Sequence, residues 1–289
     1  MKLRLLPALL VLTLAAASAP VLRAAEPLKV LLITGGCCHD YAKQKDILKE
    51  GLEARANVVV TQVHTDDKST KPPLPIYGNP DYAKGYDLVI HDECSAGIAE
   101  LATIDGVIKP HLDGIPGVNL HCAMHCYRFG DIQKPLGTGA ENGHWYEYLG
   151  LHSTGHGPQE PIALSFVDKE SPITKGMTDW TTIKEELYNN IEILGGKALT
   201  KGKQMQPVKT KGPDGKDVVS GTKEVETVVA WTNEFGPKKT KVFSTTIGHN
   251  NETVADARYL DLVTRGVLWA SGHINADGTP AKGFGPGGK

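Results

Sequence analysis

The sequence predicts an α/β domain, a three-layer sandwich around a mostly parallel sheet. Three observations carry that expectation. Short runs such as Lys29-Val30-Leu31-Leu32-Ile33 and Asp87-Leu88-Val89-Ile90 are almost continuously apolar, as in strands buried on both faces. Segments between them place apolar residues at helical spacing, as Ile47, Leu48 and Leu52 do within Gln44 to Ala54. The two patterns alternate, which implies right-handed crossovers with helices covering the sheet.

The elements follow in order. The first strand, Lys29 to Ile33, ends in Thr34-Gly35-Gly36 and leads into the helix Gln44 to Ala54. Val58-Val59-Val60 is the second strand. Asp66 to Asp81, with Pro72, Pro73, Pro75 and Pro80, is expected to be a long irregular loop. Asp87 to Ile90 is the third strand. The next helix runs from Ile98 to Lys109, buries Ile104, Val107 and Ile108, and is expected to stop at Pro110. Pro116 to Leu120 is the fourth strand. An aromatic stretch, Trp145 to Tyr148, precedes a strand from Pro161 to Val167. The polar stretch Lys201 to Lys223 turns at Gly212-Pro213-Asp214-Gly215 and reads as a hairpin or loop excursion. Strands at Thr227 to Trp231 and Lys241 to Thr246, then a helix from Ala255 to Ser271, close the domain.

A length of 289 residues, 40% of them hydrophobic, suits one such domain. Lys plus Arg number 31 against 33 for Asp plus Glu, so the basic excess of a nucleic-acid or anionic-membrane binder is missing. Lys2 and Arg4, the apolar run Leu5 to Ala17 and the small residues up to Ala24 read as a secretory signal, residues 1–24. The run is short for a bilayer span, although an uncleaved anchor is the alternative. Cleavage after Ala24 would leave an exported, periplasmic or extracellular chain with no membrane segment, and loss of three positive charges would take the formal charge from −2 to −5. The α/β domain is expected over residues 25–274, with a disordered Gly/Pro-rich tail over 275–289.

The histidines carry the strongest functional signal. Of eleven, five follow predicted strands: His39, His64, His91, His121 and His249. Strand carboxyl ends of an open parallel sheet converge on one edge, where ligand crevices form, so three of the five are expected to share a site. Imidazole can move protons near neutral pH or, when neutral, bind a borderline metal such as zinc. His39, His121 and His249 are the candidate ligands for a divalent transition metal. Asp92 and Glu93, next to His91, are candidate orienting carboxylates or solvated loop charges. His111 and His273 are read as surface residues.

Gly35-Gly36 would let a ligand approach the backbone, but this is not GxGxxG and no P-loop lysine follows, so no nucleotide is expected. Gly117-Val118-Asn119-Leu120-His121-Cys122-Ala123 resembles the strand-to-helix elbow that holds a nucleophile in many α/β enzymes. Here His121 stands at the tip, with Cys122 one step away. The five cysteines, Cys37, Cys38, Cys94, Cys122 and Cys126, form no CxxC pair. An odd number in an oxidising compartment leaves at least one thiol unpaired or metal-bound; small buried hydrophobes are the bland reading.

These segments bear a family likeness. Val30 to Gly36 with His39, Gly117 to Ala123, Glu185-Glu186-Leu187-Tyr188, Val228 to Trp231, Lys241-Val242-Phe243, Gly248-His249 and Gly266 to Ala270 together resemble the ThuA-like (trehalose-utilisation) family. The resemblance implies a flavodoxin-like, class I glutamine amidotransferase-like fold. It implies that His121 replaces the amidotransferase nucleophile, so glutamine hydrolysis is not expected. It also implies that His39, His121, Glu186, Tyr188 and His249 line the crevice, and it points to trehalose-related sugars, including 3-keto disaccharides. Two features depart from the family pattern: Ser171-Pro172 replaces the usual His-Pro, and Cys37-Cys38 is unusual in the glycine-rich loop.

Three functions follow. The first is a lyase, hydrolase or isomerase acting on an oxidised (3-keto) sugar or disaccharide, with His121, Glu186, His39 and His249 as catalytic residues. Substrate contact is assigned to Gly36, His91, Asp92, Trp145 and Tyr188. Trp145, Tyr146 and Tyr188 would stack on sugar faces, or pack the core. The second is a sugar-binding module without chemistry. The third is a metal-dependent hydrolase of another substrate class. The expected partner is a small carbohydrate, and a homo-oligomer is left open.

Overall fold

A computed structural model describes residues 25–212 and 214–288; the segment read as a secretory signal lies outside the described residues. The chain runs β1 (Leu28–Gly36), α1 (Tyr41–Glu53), β2 (Val58–Thr65), β3 (Leu88–Cys94), α2 (Leu101–Leu112), β4 (Gly117–Leu120) and α3 (His144–Leu149). It continues through β5 (Leu151–Phe166), β6 (Trp180–Ile193), β7 (Lys197–Lys211), β8 (Asp217–Phe235), β9 (Thr240–Thr245), α4 (Asn251–Val254) and α5 (Ala257–Ala270). All the strands join one sheet in the order β2-β1-β3-β4-β9-β8-β7-β5-β6.

The apolar runs form strands because both sides of each are covered. In β1, Val30 and Leu32 join Leu48 and Leu52 of α1 and Val263 and Val267 of α5. Leu31 and Ile33 face the other way, against Ile104, Val107 and Ile108 of α2 and Trp145 and Tyr148 of α3. Each such side chain contributes about 1.5–3 kcal/mol on full burial, which fixes the register of the central strands. The loop between β2 and β3 is irregular as expected, and it is pinned by Leu74, Ile76 and Ala83 in the second of these cores.

The sheet is less parallel than the sequence suggests. β2, β1, β3, β4 and β9 pair in parallel. From β9 outward, β8, β7, β5 and β6 pair antiparallel. This wing consists of long strands, with β5 between β7 and β6, and the polar excursion is the β7–β8 hairpin. Antiparallel strands tolerate a solvated face, so their polar alternation carries little of the apolar signal that marks β1 or β3.

Two further expectations are corrected. α2 does not stop at Pro110 but runs on to Leu112, with Pro110 in its last turn and the carbonyls of Pro110 and His111 accepting from Ile115 and Gly114. The tail is placed against the body rather than disordered. The Asn57 amide N–H donates to the Phe284 carbonyl at 2.9 Å, Ile274 bridges to Pro280, and Phe284 stacks on His273 at 3.7 Å. One aromatic anchor thus overrides the tail's Gly/Pro composition, and it takes His273 off the open surface.

Strand order reverses where the chain leaves β1 for β2 on one side and β3 on the other, so a crevice is expected beyond their carboxyl ends. Gly35 and Gly36 are required there by neighbouring strands. Gly36 has φ +102°, and a Cβ would lie 2.2 Å from the Cys94 carbonyl oxygen. No helix among the described residues is long and apolar enough to cross a membrane. Gly36→Ala is expected to cost about 2 kcal/mol or more through this clash and the left-handed backbone; urea denaturation measures it.

Candidate active site

The site begins at the elbow after β4. His121 has φ +40° and opens a 3₁₀ turn, His121–His125. Such a backbone costs on the order of 1–3 kcal/mol in a non-glycine residue and must be held by its surroundings. Part of the hold is a hydrogen bond of 2.7 Å from His121 Nδ1 to the Thr246 carbonyl just past β9. Because Nδ1 is engaged as the donor to a carbonyl, Nε2 is the nitrogen that faces inward.

His39 arrives from the loop after β1 and His249 from the loop after β9. The ring centroids of His39 lie 4.6 Å from His121 and 4.7 Å from His249, and those of His121 and His249 lie 5.4 Å apart, all edge-to-face. One ring nitrogen of each lies within 4.8 Å of those of the other two. His39 Nδ1, His121 Nε2 and His249 Nδ1 are all buried without a hydrogen-bond partner. His39 Nδ1 and His121 Nε2 are placed as donors for a borderline divalent cation; His249, whose Nε2 accepts from Gln159 Nε2 at 2.8 Å, joins them by giving up its Nδ1 proton when the cation binds.

Glu186 of β6 closes the cluster. Its Oε2 lies 3.5 Å from His121 Nε2 and 3.3 Å from His249 Nδ1, long for well-aligned hydrogen bonds. Its Oε1 lies 3.6 Å from His156 Nδ1, and Gln159 Nε2 donates to it at 3.4 Å. Burial alone would raise the Glu186 pKa, but His121 and His249 outweigh it and hold the carboxyl far below its usual range. Burial opposes charge on His249 too, yet Glu186 and then Glu185 leave its pKa raised. His39 goes the other way: burial first, then the neighbouring His121 and His249, lower it to about 2, so its ring is neutral.

Glu185 positions the His249 loop from beneath. Its carboxylate accepts from the backbone N–H groups of Gly248 (3.4 Å), His249 (3.0 Å) and Asn250 (3.2 Å). Gly248 has φ +129°, and a Cβ there would meet Tyr259 Oη at 2.7 Å. Gln44 adds a bond of 3.0 Å to the His249 carbonyl.

The cluster opens into a crevice of about 340 Å³, lined also by Arg128, His125, His156 and Tyr188. A larger groove holding Asp168, Lys197 and Phe235 lies at the opposite edge of the sheet and contains no histidine.

Of the five strand-following histidines, three meet. His64 remains on β2, bonded to Thr34 Oγ1 at 2.7 Å and to Asp66. His91 does not reach the rim, because β3 continues to Cys94 and leaves it mid-strand between Ile33 and Asn119. Its Nδ1 bonds Glu93 Oε1 at 2.9 Å, and its Nε2 meets His111 Nε2 at 3.2 Å. His111 Nδ1 donates to the Ile115 carbonyl at 2.8 Å, and Tyr127 Oη donates to Glu93 at 2.6 Å. The chain of bonds requires a proton on His91 Nε2, since His111 Nε2 is then the acceptor. Thus His91 belongs to a buried polar network, and His111 is fully buried rather than on the surface.

Other substrate assignments are corrected likewise. Asp92 is buried, and burial followed by Glu93 raises its pKa well above the usual carboxylate range, so it is an interior acid rather than a substrate contact. Gly36 packs on the Cys94 carbonyl and does not line the crevice. Trp145 and Tyr146 are core residues, with Trp145 Nε1 donating to the Ala123 carbonyl. Tyr188 does line the crevice, but His125 covers its ring face at 4.1 Å and 3°, leaving no face for a sugar.

Sequence reasoning missed His125, Arg128, His156, Gln159 and Glu185. His156 and Gln159 lie in β5, which Gly155, Gly157 and Pro158 disguise as a loop, and His156 pairs with Tyr188. Their signal is proximity to the Glu185-Glu186 pair across the sheet, which hydropathy does not report.

Fold and site together define an α/β protein whose crevice sits at the strand switch point, with histidine at the elbow tip. The chain belongs to the trehalose utilisation (ThuA) family, which matches residues 29–270. A putative ThuA-like protein from Parabacteroides merdae shares 19% identity at a TM-score of 0.57, covering 88% of this chain and 97% of that one, a likeness of fold. A β-galactosidase from Rahnella sp. R3 aligns at 12% identity and a TM-score of 0.47, over 84% of this chain and 32% of that one. A cytoplasmic protein from Salmonella typhimurium aligns at 10% and 0.48, over 83% and 98%. No curated protein sequence matches.

The buried histidines give stability a definite pH slope. Burial, then His91, lowers the His111 pKa from 6.5 to about 3. Between those values the unfolded chain binds the extra proton, so stability falls as pH drops below 6.5. His111→Gln is expected to remove one proton's share of the slope, about 1.4 kcal/mol per pH unit, in denaturation curves between pH 6 and 4.5.

Proposed function

We propose that this chain is an exported carbohydrate-active enzyme of the trehalose utilisation family, acting on an oxidised (3-keto) sugar or disaccharide by imidazole and carboxylate acid–base chemistry. The observation that carries the reading is the three buried, unpartnered nitrogens of His39, His121 and His249 beside the ionised Glu186. They fit a divalent transition metal such as zinc. His121 has the tautomer a ligand needs, and His39 is already neutral. The parallel order β2-β1-β3-β4-β9, with β9 counted fifth, is the 2-1-3-4-5 order of flavodoxin-like sheets and supports the three-layer assignment.

A proton next to a ketone is acidic because the resulting carbanion is an enolate. Zinc bound by the imidazoles would supply charge stabilisation at the ketone oxygen. With those imidazole nitrogens engaged by a metal, Glu186 would be freed from their influence and take the proton at Oε1, which faces Gln159 and His156. His156, with its side chain 44% exposed, relays the proton to solvent. Arg128 and the exposed face of His156 bind sugar hydroxyls and ring within the crevice.

Elemental analysis of purified protein, followed by turnover of plain and 3-keto disaccharides, tests the reading. Zinc or a similar metal near stoichiometry is expected, together with turnover of the keto sugar alone. His121→Ala is expected to lose the metal and at least roughly 100-fold in kcat. Sugar affinity without turnover in the native protein, unchanged by His121→Ala, would instead define a binding module.

A further inference from the structure

Four of the five cysteines converge on the crevice from three strand ends. Cys37 and Cys38 follow β1, Cys94 ends β3, and Cys122 follows His121 in the 3₁₀ turn. Cys37 pairs with Cys38 and Cys94 with Cys122, and the two pairs touch, with Cys37 Sγ 3.4 Å from Cys94 Sγ. The Sγ atoms of Cys37, Cys38 and Cys94 all lie within 4.8 Å of one another. Cys38 is exposed, Cys37 half-buried, and the other two buried, so the array runs from solvent into the crevice wall. Cys126 stands apart: its thiol donates to the Glu93 carbonyl at 3.1 Å, accepts from the Ser95 N–H at 2.9 Å, and is held protonated by burial.

We propose that Cys37, Cys38 and Cys94, with Cys122 beside Cys94, form a thiolate site for a soft cation, copper(I) or zinc(II), next to the imidazole cluster. Three sulfurs within 4.8 Å of one another, with Cys122 against the third, exceed what one structural disulfide needs, and their softness selects thiophilic metals over the oxygen-loving ones. Oxidised, the sulfurs stand as two disulfides and cannot bind. A dithiol reductant transfers two electrons and two protons to each disulfide, becoming a disulfide itself. The cation then displaces thiol protons to solvent with no further electron transfer. This donor set is independent of the imidazoles, so it stands or falls separately from the sugar chemistry.

The test uses the whole chain, reduced with a phosphine, desalted and kept anaerobic. Cobalt(II) serves as the optical probe, followed by competition with zinc(II) and copper(I). A thiolate-to-cobalt charge-transfer band is expected to saturate at about one equivalent and to be discharged by zinc or copper(I). The band persists in His121→Ala/His249→Ala, since imidazole does not produce it, and is absent from the oxidised protein. Cys37→Ser/Cys94→Ser removes it, and Cys38→Ser, at an exposed position, weakens it without threatening the fold. A reduced native protein with four reactive thiols and no sulfur band overturns the site. So does an undiminished band in Cys38→Ser or in Cys37→Ser/Cys94→Ser.

Discussion

The hydrogen bond from His121 Nδ1 to the Thr246 carbonyl is the interaction on which the site depends. It ties the end of β4 to the end of β9, steadies an unfavourable backbone at the elbow and decides which ring nitrogen is left free. Without it the tautomer would be open, and Nε2 would have no fixed relation to His39 or His249. Its geometry in turn requires β4 and β9 to be adjacent and parallel, which the buried faces of Val118 and Phe243 enforce.

The antiparallel wing completes what the parallel half begins. His39, His121 and the cysteines come from parallel strand ends, whereas Glu186, Glu185, His156 and Gln159 come from β5 and β6. Glu185 and Glu186 are neighbours in sequence with different tasks. One gathers three backbone N–H groups and sets a loop, and the other remains ionised among imidazoles. The extended wing is therefore part of the site's construction.

The parallel half was legible because β1 and the start of β3 are apolar on both faces, a pattern few other structures produce. The convergence of His39, His121 and His249 followed from that topology alone. The ends of the strands were harder to read. Gly35, His91, Asp92 and Glu93 look like loop residues but continue the ladder, which moved His91 from the rim into the interior. A buried polar network whose members satisfy one another leaves no trace in hydropathy. The wing was obscured for the opposite reason: β6 and the first half of β5 are polar strands whose partners lie far away in sequence.

The Asn57 side chain has a consequence for how this domain can be handled. Its amide donates to the carbonyls of both Ala25, at 3.0 Å, and Gly283, at 2.9 Å. Ala25 and Gly283, near the two ends of the described residues, are thereby clasped together at the foot of β1 and β2, away from the imidazoles. A short peptide joining them, with new termini opened in the exposed β7–β8 turn, would yield a circular permutant that keeps every sheet pairing. Cargo or a surface tether attached at this clasp would leave the crevice mouth unobstructed.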